Sequence, residues 1–203
     1  MVLDKRVLII ASGSAMTLAC ILFIVGNALP SWSSAKLDSA QINLLYNMLT
    51  QYDISVKDQT TSDETQVTIG LWRGCASILQ LTACSNLLSS CTLRNGESLP
   101  LCQKMMAARA FVTIACIISG ASAVCLFAYI LQSINKYQKV LIISKILTFS
   151  SLVTGVIGIA LGIVFATDNG GLPIKKSVSV GAILTILAVA MNLIGAVLSL
   201  LVR

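Results

Sequence analysis

The chain has 203 residues, of which 56% are hydrophobic and only 11% are charged, and it contains no histidine. Soluble domains carry about 25% charged residues, so this composition excludes an ordinary water-facing globular surface. The absence of histidine excludes imidazole catalysis and histidine metal ligands. The net charge of +6 does not indicate nucleic-acid binding, because the sequence has no basic helix face and no run of Lys and Arg.

The apolar residues fall into four long segments, over residues 7–29, 106–131, 140–166 and 177–202. Each exceeds the roughly 20 residues that a helix needs to cross about 30 Å of hydrocarbon. The first segment is too long for the apolar part of a signal peptide, and no A-x-A cleavage pattern follows it. The sequence therefore predicts one membrane domain, residues 1–203, with four transmembrane helices.

The basic residues near the span ends predict the orientation. One side of the membrane would hold six basic residues and a single acid, Asp4; the basic residues are Lys5, Arg6, Lys136, Lys139, Lys145 and Arg203. Because Lys and Arg are enriched on the cytoplasmic side, we expect both termini in the cytoplasm. A large loop over residues 30–105 and a short one over 167–176 would then be extracellular.

Lys145 lies inside the third predicted span. It could be a buried functional charge, but a lysine about one and a half turns from the inner edge can extend its stem to the headgroups. We expect the second behaviour. No other ionisable residue lies deep in a predicted span, which argues against a proton relay or an ion path through the helices.

The third span also contains Gly155, Gly158 and Gly162. Small residues let helix backbones approach closely in lipid, where no hydrophobic effect acts between helices. These glycines could form a surface for a partner, or they could pack the four helices of a left-handed bundle against each other. We expect the intramolecular role.

The large loop contains four cysteines, Cys75, Cys84, Cys91 and Cys102. An even number facing an oxidising compartment indicates two disulfides, for which the sequence alone permits three connectivities. Pairing of neighbours, Cys75 with Cys84 and Cys91 with Cys102, is the simplest and is our prediction. A zinc site is the alternative, but these spacings lack the close C-x2–4-C pairs of structural zinc sites.

Three segments of this loop have local patterns. Residues 66–72 (QVTIGLW) alternate and are rich in β-branched and aromatic residues, which predicts a strand, and residues 30–37 could pair with it. Residues 40–52 space their apolar side chains like one helix face. Residues 53–65 are polar and charged, so we expect an exposed excursion there.

The loop also carries a motif of the form W…GLW…C…C. Its residues are Trp32, Gly70, Leu71, Trp72, Cys75 and Cys84. With four spans and a large first outer loop, this motif resembles the signature of the claudin superfamily, which includes claudins, peripheral myelin protein relatives and gamma-type auxiliary subunits of channels and receptors. The stretch AARA at 107–110 looks like the one that opens span 2 in claudins, and it contains Arg109.

The resemblance implies a mainly α membrane protein with a small extracellular antiparallel sheet of about five strands resting on the bundle. Trp32 and Trp72 would bury their rings at the membrane interface, and Gly70 would leave room for a ring that packs across a strand. Arg109 would help to fix the sheet on the bundle through loop carbonyls or an acid. The alternative for Arg109 is an interaction with lipid phosphate.

The sequence departs from claudins in several respects. About forty residues separate Trp32 from Trp72, roughly double the claudin spacing, and the pair Cys91 and Cys102 is additional. The second outer loop is short and lacks the aromatic turn through which claudins make contact across cells. The sequence also has no Tyr-Val-like end for PDZ scaffolds after Arg203.

We therefore expect a non-enzymatic, claudin-like protein of the plasma membrane that assembles laterally and contributes to cell–cell contact or a paracellular barrier. The alternative is an auxiliary subunit of an ion channel or receptor. The partners would be membrane lipids and proteins in the membrane, either further copies of the chain or a channel subunit. We predict no catalytic residue, cofactor or metal, because no paired acids, nucleophile–base set or metal cluster can be assembled.

Overall fold

The computed structural model describes residues 5–37, 65–78, 81–87, 100–131, 138–167 and 176–202. These residues form four long helices: α1 (Lys5–Ala28), α2 (Pro100–Leu131), α3 (Gln138–Thr167) and α4 (Val180–Leu201). Each helix is long and apolar enough to cross a membrane. The prediction of a mainly helical protein with four helices long and apolar enough to be membrane spans is thereby confirmed.

The helices pack as an antiparallel bundle in which neighbours in the chain are neighbours in space and α4 closes back onto α1. Serine hydroxyl groups form hydrogen bonds between neighbouring helices. The Ser119 hydroxyl on α2 donates to the Met16 carbonyl on α1 (2.9 Å), and the Ser12 hydroxyl on α1 donates to the Gly195 carbonyl on α4 (2.9 Å). These bonds reach backbone atoms of the facing helix, so the helices approach each other closely.

Several helix ends have a local cause. α1 ends two residues before Pro30, which lacks the N–H needed to continue a helix. α2 begins at Pro100, because proline suits the first helical position. α4 begins at Val180, and its Gly181 N–H donates to the Ser31 carbonyl (2.7 Å). We expected the fourth span to begin at about residue 177; its helix begins three residues later, because residues 176–178 form a strand.

The described strands are β1 (Ser33–Leu37), β2 (Thr65–Ile69), β3 (Arg73–Ile78), β4 (Leu81–Asn86) and β5 (Lys176–Val178). They form one antiparallel sheet in the order β4-β3-β2-β1-β5. β5 comes from the segment between α3 and α4, which we expected to be only a short loop. That segment therefore contributes an edge to the same sheet as the large loop.

The predicted strand pair of residues 30–37 and 66–72 is confirmed in its central part, where Ser33 pairs with Ile69 and Lys36 with Gln66. β2 ends at Ile69, and residues 70–72 turn into β3 instead of continuing the strand. The helix predicted over 40–52 and the excursion over 53–64 lie outside the described residues, and Thr65 begins β2.

The bundle interior consists of two apolar clusters separated along the helix axes by polar side chains. The cluster next to the sheet contains Phe23, Trp32, Leu71 and Val112, and the one at the opposite end contains residues such as Leu126. Between them lie buried polar residues of α2, α3 and α4: Ser119, Ser122, Ser144, Thr148, Ser151 and Asn192. The exposed sides of the helices are apolar, as expected of surfaces that face lipid.

Candidate functional site: the junction between sheet and bundle

Trp32 connects the sheet to the bundle from inside the protein. Its side chain is fully buried, and its indole Nε1 donates to the Gly26 carbonyl at the end of α1 (2.7 Å). The ring lies against Gly162 of α3 and Gly181 of α4; a Cβ atom at residue 181 would be 2.8 Å from Trp32 Cδ1. Trp32 therefore packs in a slot formed by two glycines, and not at an exposed interface.

Arg109 connects the loop between β2 and β3 to α2. Its guanidinium is buried, and Nε donates to the Leu71 carbonyl. Nη1 and Nη2 contact the sulfur atoms of Met106 and Met105, at 3.2 and 3.5 Å. The partner is thus a loop carbonyl, which is one of the two partners that the resemblance implied.

An acid partner for Arg109 does not occur in the described part of the chain, because all eight acidic residues lie outside it. Instead, the guanidinium carbon lies 5.0 Å from the centroid of the Trp72 ring. The negative face of an indole attracts a cation, more strongly where water is partly excluded. The charge of Arg109 is therefore stabilised by an aromatic face and a carbonyl dipole.

Trp72 differs from Trp32 in that its ring remains 47% exposed. Its Nε1 donates to Asn27 Oδ1 (2.9 Å), and Asn27 Nδ2 donates to Thr113 Oγ1 (3.2 Å). The Thr113 hydroxyl donates in turn to the Arg109 carbonyl (2.7 Å). Trp72, Asn27, Thr113 and Arg109 thus form a continuous chain of contacts that joins the loop to both α1 and α2.

Gly70 is required for a reason other than the one implied by the resemblance. A Cβ atom at residue 70 would lie 2.5 Å from the Leu29 carbonyl oxygen and 2.6 Å from Pro30 Cα. The group that excludes a side chain is therefore the backbone that leaves α1, and not a bulky ring. The Trp32 N–H donates to the Ile69 carbonyl at the same crossing (3.0 Å), so the two segments touch backbone to backbone.

The disulfide Cys75–Cys84 joins β3 to β4, as predicted. The N–H of Leu87 donates to the Trp72 carbonyl, so these two residues form a hydrogen-bonded pair of the ladder. Hydrogen-bonded and non-hydrogen-bonded pairs alternate along two antiparallel strands, so Cys75 and Cys84 form a non-hydrogen-bonded pair. Cα atoms approach most closely at such positions, and here they are 4.1 Å apart. Cys102 is also disulfide-bonded, and its predicted partner Cys91 lies outside the described residues.

Gly155, Gly158 and Gly162 face other helices or the sheet of the same chain. A Cβ atom at residue 155 would be 3.0 Å from a Val189 methyl group, and one at residue 158 would be 3.1 Å from the Val112 backbone nitrogen. Gly162 lies against Trp32. The intramolecular role that we expected accounts for all three glycines.

The side chain of Lys145 extends towards the near end of the bundle, as expected. Its ammonium, however, has a partner in the protein. Nζ donates to the carbonyl of Val202, directly after the end of α4 (2.7 Å). The last carbonyls of a helix have no partner within the helix and carry partial negative charge. Lys145 therefore caps the C-terminal end of α4.

Sequence reasoning missed three groups of residues. Asn27 gave no signal, because its two partners are distant in the sequence. The hydrogen bond from Asn192 Nδ2 to Ser151 Oγ (2.7 Å) crosses the middle of the bundle, and an asparagine in an apolar span could have indicated such a bond. The thiols of Cys20 and Cys116 lie 3.7 Å apart, which only the packing of α1 on α2 reveals.

The junction residues have no group that exchanges a proton near neutral pH, since they supply a guanidinium, indoles, amides, hydroxyls and thioethers. What this arrangement can do is hold the sheet in one position on the bundle. Comparison with known proteins adds no identification: no protein-family model matches the chain, and a search of curated proteins finds no significant match.

Proposed function

We propose that the chain is a claudin-like, non-enzymatic protein of the plasma membrane that assembles laterally with further copies of itself. In this proposal both termini are cytoplasmic and the sheet is extracellular. The assembly would contribute to cell–cell contact or to a paracellular barrier. The observation that carries the proposal is the rigid attachment of the sheet to the bundle by Trp32 and Arg109, because assembly through a sheet requires that the sheet cannot tilt.

The strand β4 supplies a surface for assembly. It is the last strand of the sheet, and only β3 pairs with it among the described strands. The N–H group of Leu87 donates to Trp72 and so points towards β3. Because N–H groups alternate in direction along a strand, those of Thr82, Cys84 and Asn86 point away from β3. Outward N–H groups on an edge strand can pair with a strand of another chain.

The test compares Asn86→Pro with Asn86→Ala. Proline removes one outward N–H and is tolerated where that group faces away from the sheet, whereas alanine keeps the N–H and removes the side chain. Two differently tagged copies are expressed together and purified in mild detergent. We expect the parent and Asn86→Ala to co-purify with the second copy, and Asn86→Pro to reach the surface but to lose co-purification.

Unchanged co-purification of Asn86→Pro would show that β4 is not the assembly edge. Tagged parent that retains no second copy would contradict lateral self-assembly itself. Surface delivery of each variant is measured in the same cells, so that a folding defect is not mistaken for a loss of assembly.

The second candidate function is that of an auxiliary subunit of a channel or receptor. It is favoured by β5, whose residues pair with β1. The second outer loop therefore gives part of its length to the sheet and has fewer residues to contact another cell. A channel or receptor subunit that co-purifies in a fixed ratio, without a second copy of this chain, would favour this candidate.

A further inference from the structure

Cys20 of α1 and Cys116 of α2 form a close pair of free thiols within the bundle. Their sulfur atoms are 3.7 Å apart, and each thiol also lies near the backbone carbonyl of the other residue, at 3.6 and 3.8 Å. Both side chains are only partly buried, so a small reagent dissolved in the lipid can reach them.

The helices are held together on both sides of this pair. The Ser119 hydroxyl bonds to the Met16 carbonyl on one side, and the Asn27 amide bonds to Thr113 on the other. Gly120 lies beside this pair, since a Cβ atom at residue 120 would make an ordinary contact with Cys20 Sγ at 3.4 Å. Helices about 8–10 Å apart can place facing Cα atoms within the roughly 4.4–6.8 Å that a disulfide spans.

A metal site is a weaker interpretation of the same pair. No cluster of three or more cysteine, histidine or acidic side chains occurs in the part of the chain that the structure describes, and structural zinc sites use four ligands. Two adjacent thiols without further ligands favour sulfur–sulfur chemistry.

We propose that Cys20 and Cys116 form a redox-reactive dithiol, which an organic hydroperoxide dissolved in the membrane converts into a disulfide between α1 and α2. In the first step one thiol sulfur attacks the peroxide oxygen; the O–O bond breaks, the sulfur becomes a sulfenic acid, and the alkoxide takes the thiol proton and leaves as an alcohol. In the second step the other sulfur attacks the sulfenic sulfur, and water leaves with its proton. Two thiols are thus oxidised by two electrons, and one hydroperoxide is reduced to alcohol and water.

The second step is favoured by proximity. A sulfenic acid that forms within contact distance of another thiol condenses as an intramolecular reaction, without the entropy cost of bringing two molecules together. Cys125, the third free cysteine of the described residues, has no such neighbouring thiol and provides the matched control.

The test counts accessible thiols after oxidation. The full-length protein in lipid vesicles is treated with cumene hydroperoxide, unfolded in SDS without reductant, and labelled with a maleimide that carries a polyethylene glycol chain. The described part of the untreated protein has three free cysteines. With Cys91 bonded to Cys102 as predicted, the protein should take three labels, which are resolved on a gel. We expect the treated protein to take one label, on Cys125, and to regain all three after reduction with dithiothreitol.

The variants identify the bond. Cys125→Ser should fall from two labels to none, whereas treated Cys20→Ser and Cys116→Ser should form no bond between α1 and α2, because the remaining thiol can go no further than the sulfenic acid. Trypsin adds a second measurement, because it cuts after Arg6, Lys36, Arg109 and Lys136. Treated Cys125→Ser protein should yield peptides 7–36 and 110–136 joined by a reducible bond. Three labels on the treated parent, or the absence of the joined peptides 7–36 and 110–136 from treated Cys125→Ser protein, would overturn the proposal.

Discussion

The ring of Trp32 lies against the α-carbon of Gly162, in the volume that any side chain at residue 162 would occupy. This contact joins the first residues after α1 to the half of α3 that lies nearer the sheet. Because the ring is fully buried and its nitrogen bonds to the Gly26 carbonyl, it cannot move aside without losing that bond. The position of the sheet on the bundle therefore depends on the absence of a side chain in α3.

Gly162→Ala should lower the free energy of unfolding by about 1–3 kcal/mol, the usual cost of overpacking a filled interior. In an unhindered helix the same change stabilises by up to about 1 kcal/mol, since alanine is the better helix former. Thermal unfolding in mild detergent measures the difference. Gly120→Ala is the control, because its new Cβ would make an ordinary contact at 3.4 Å. Equal melting temperatures for the two variants would show that the Trp32 ring does not exclude a side chain at residue 162.

The contact between Asn27 and Trp72 should show coupling in a double-mutant cycle. Trp72→Phe keeps an aromatic face over Arg109 but removes the N–H that donates to Asn27 Oδ1, and Asn27→Ala removes the acceptor. Each single change should cost about 0.5–1.5 kcal/mol of stability, the usual net value of such a bond. The double variant should cost less than the sum of the two, because the shared bond is lost only once. Strictly additive losses would show that this bond contributes nothing.

The four helices could be predicted because each is a continuous apolar segment longer than a membrane span, and this pattern depends only on local sequence. β2 was also predictable, since alternation and β-branched residues mark it, whereas β1 was expected only as a possible partner of that strand. β5 was not, because three residues, Lys176–Val178, carry no periodicity and become a strand only by pairing with Ser33–Ala35. The sequence therefore gave no strand signal that would have moved the predicted start of the fourth span beyond residue 178.

The site was predicted as a set of residues but not in its geometry. The resemblance pointed to Trp32, Gly70, Leu71, Trp72 and Arg109, and the structure brings all of them to one junction. It could not show that one tryptophan is buried between glycines while the other stays half-exposed over a guanidinium. That difference depends on contacts between residues distant in the sequence: Trp32 packs against Gly162 and Gly181, whereas Trp72 bonds to Asn27.

Lys145→Met should destabilise the end of α4. The substitution keeps an unbranched apolar stem but removes the ammonium that bonds to the Val202 carbonyl, and a cation at a helix C-terminus contributes about 0.3–1 kcal/mol. Hydrogen exchange followed by mass spectrometry should show faster exchange in the last turn of α4. Lys139→Met, at the exposed start of α3, should leave that exchange unchanged. If Lys145→Met also has no effect, the Lys145 ammonium does not stabilise the end of α4 and interacts with lipid headgroups instead.

Removal of the disulfide by Cys75→Ser with Cys84→Ser should reduce stability by about 2–5 kcal/mol, the usual loss when a native disulfide is removed from a small secreted domain. Changing both residues prevents a new pairing of the remaining thiol. Surface delivery should fall as a consequence, measured by labelling intact cells. Cys125→Ser, which removes an unpaired thiol, is the control and should reach the surface normally. Normal delivery and stability of the double variant would mean that β4 is held by its ladder alone.

The last prediction concerns Arg109→Lys, which keeps the positive charge but loses the planar guanidinium. Arginine presents several N–H donors in a fixed geometry, and its flat face can lie against an indole, whereas an ammonium is a compact and strongly hydrated charge. Lysine at residue 109 has no group in the position of Nε, so the buried Leu71 carbonyl would lose its donor. An acceptor left unsatisfied in the interior costs about 1–3 kcal/mol, and the thermal stability in detergent should fall accordingly.

Arg73→Lys is the matched control for Arg109→Lys, because Arg73 is an exposed arginine of the same sheet and exposed side chains tolerate such changes within about 0.5 kcal/mol. The stability that Arg109→Lys loses should also depend on the Trp72 ring, against which the guanidinium lies. In a Trp72→Ala background, where the ring 5.0 Å from the guanidinium carbon is absent, Arg109→Lys should cost less than in the parent. If lysine at residue 109 gives the parent's stability in both backgrounds, the arginine serves only as a charge that lipid phosphate can satisfy, and the sheet must be held on the bundle by Trp32.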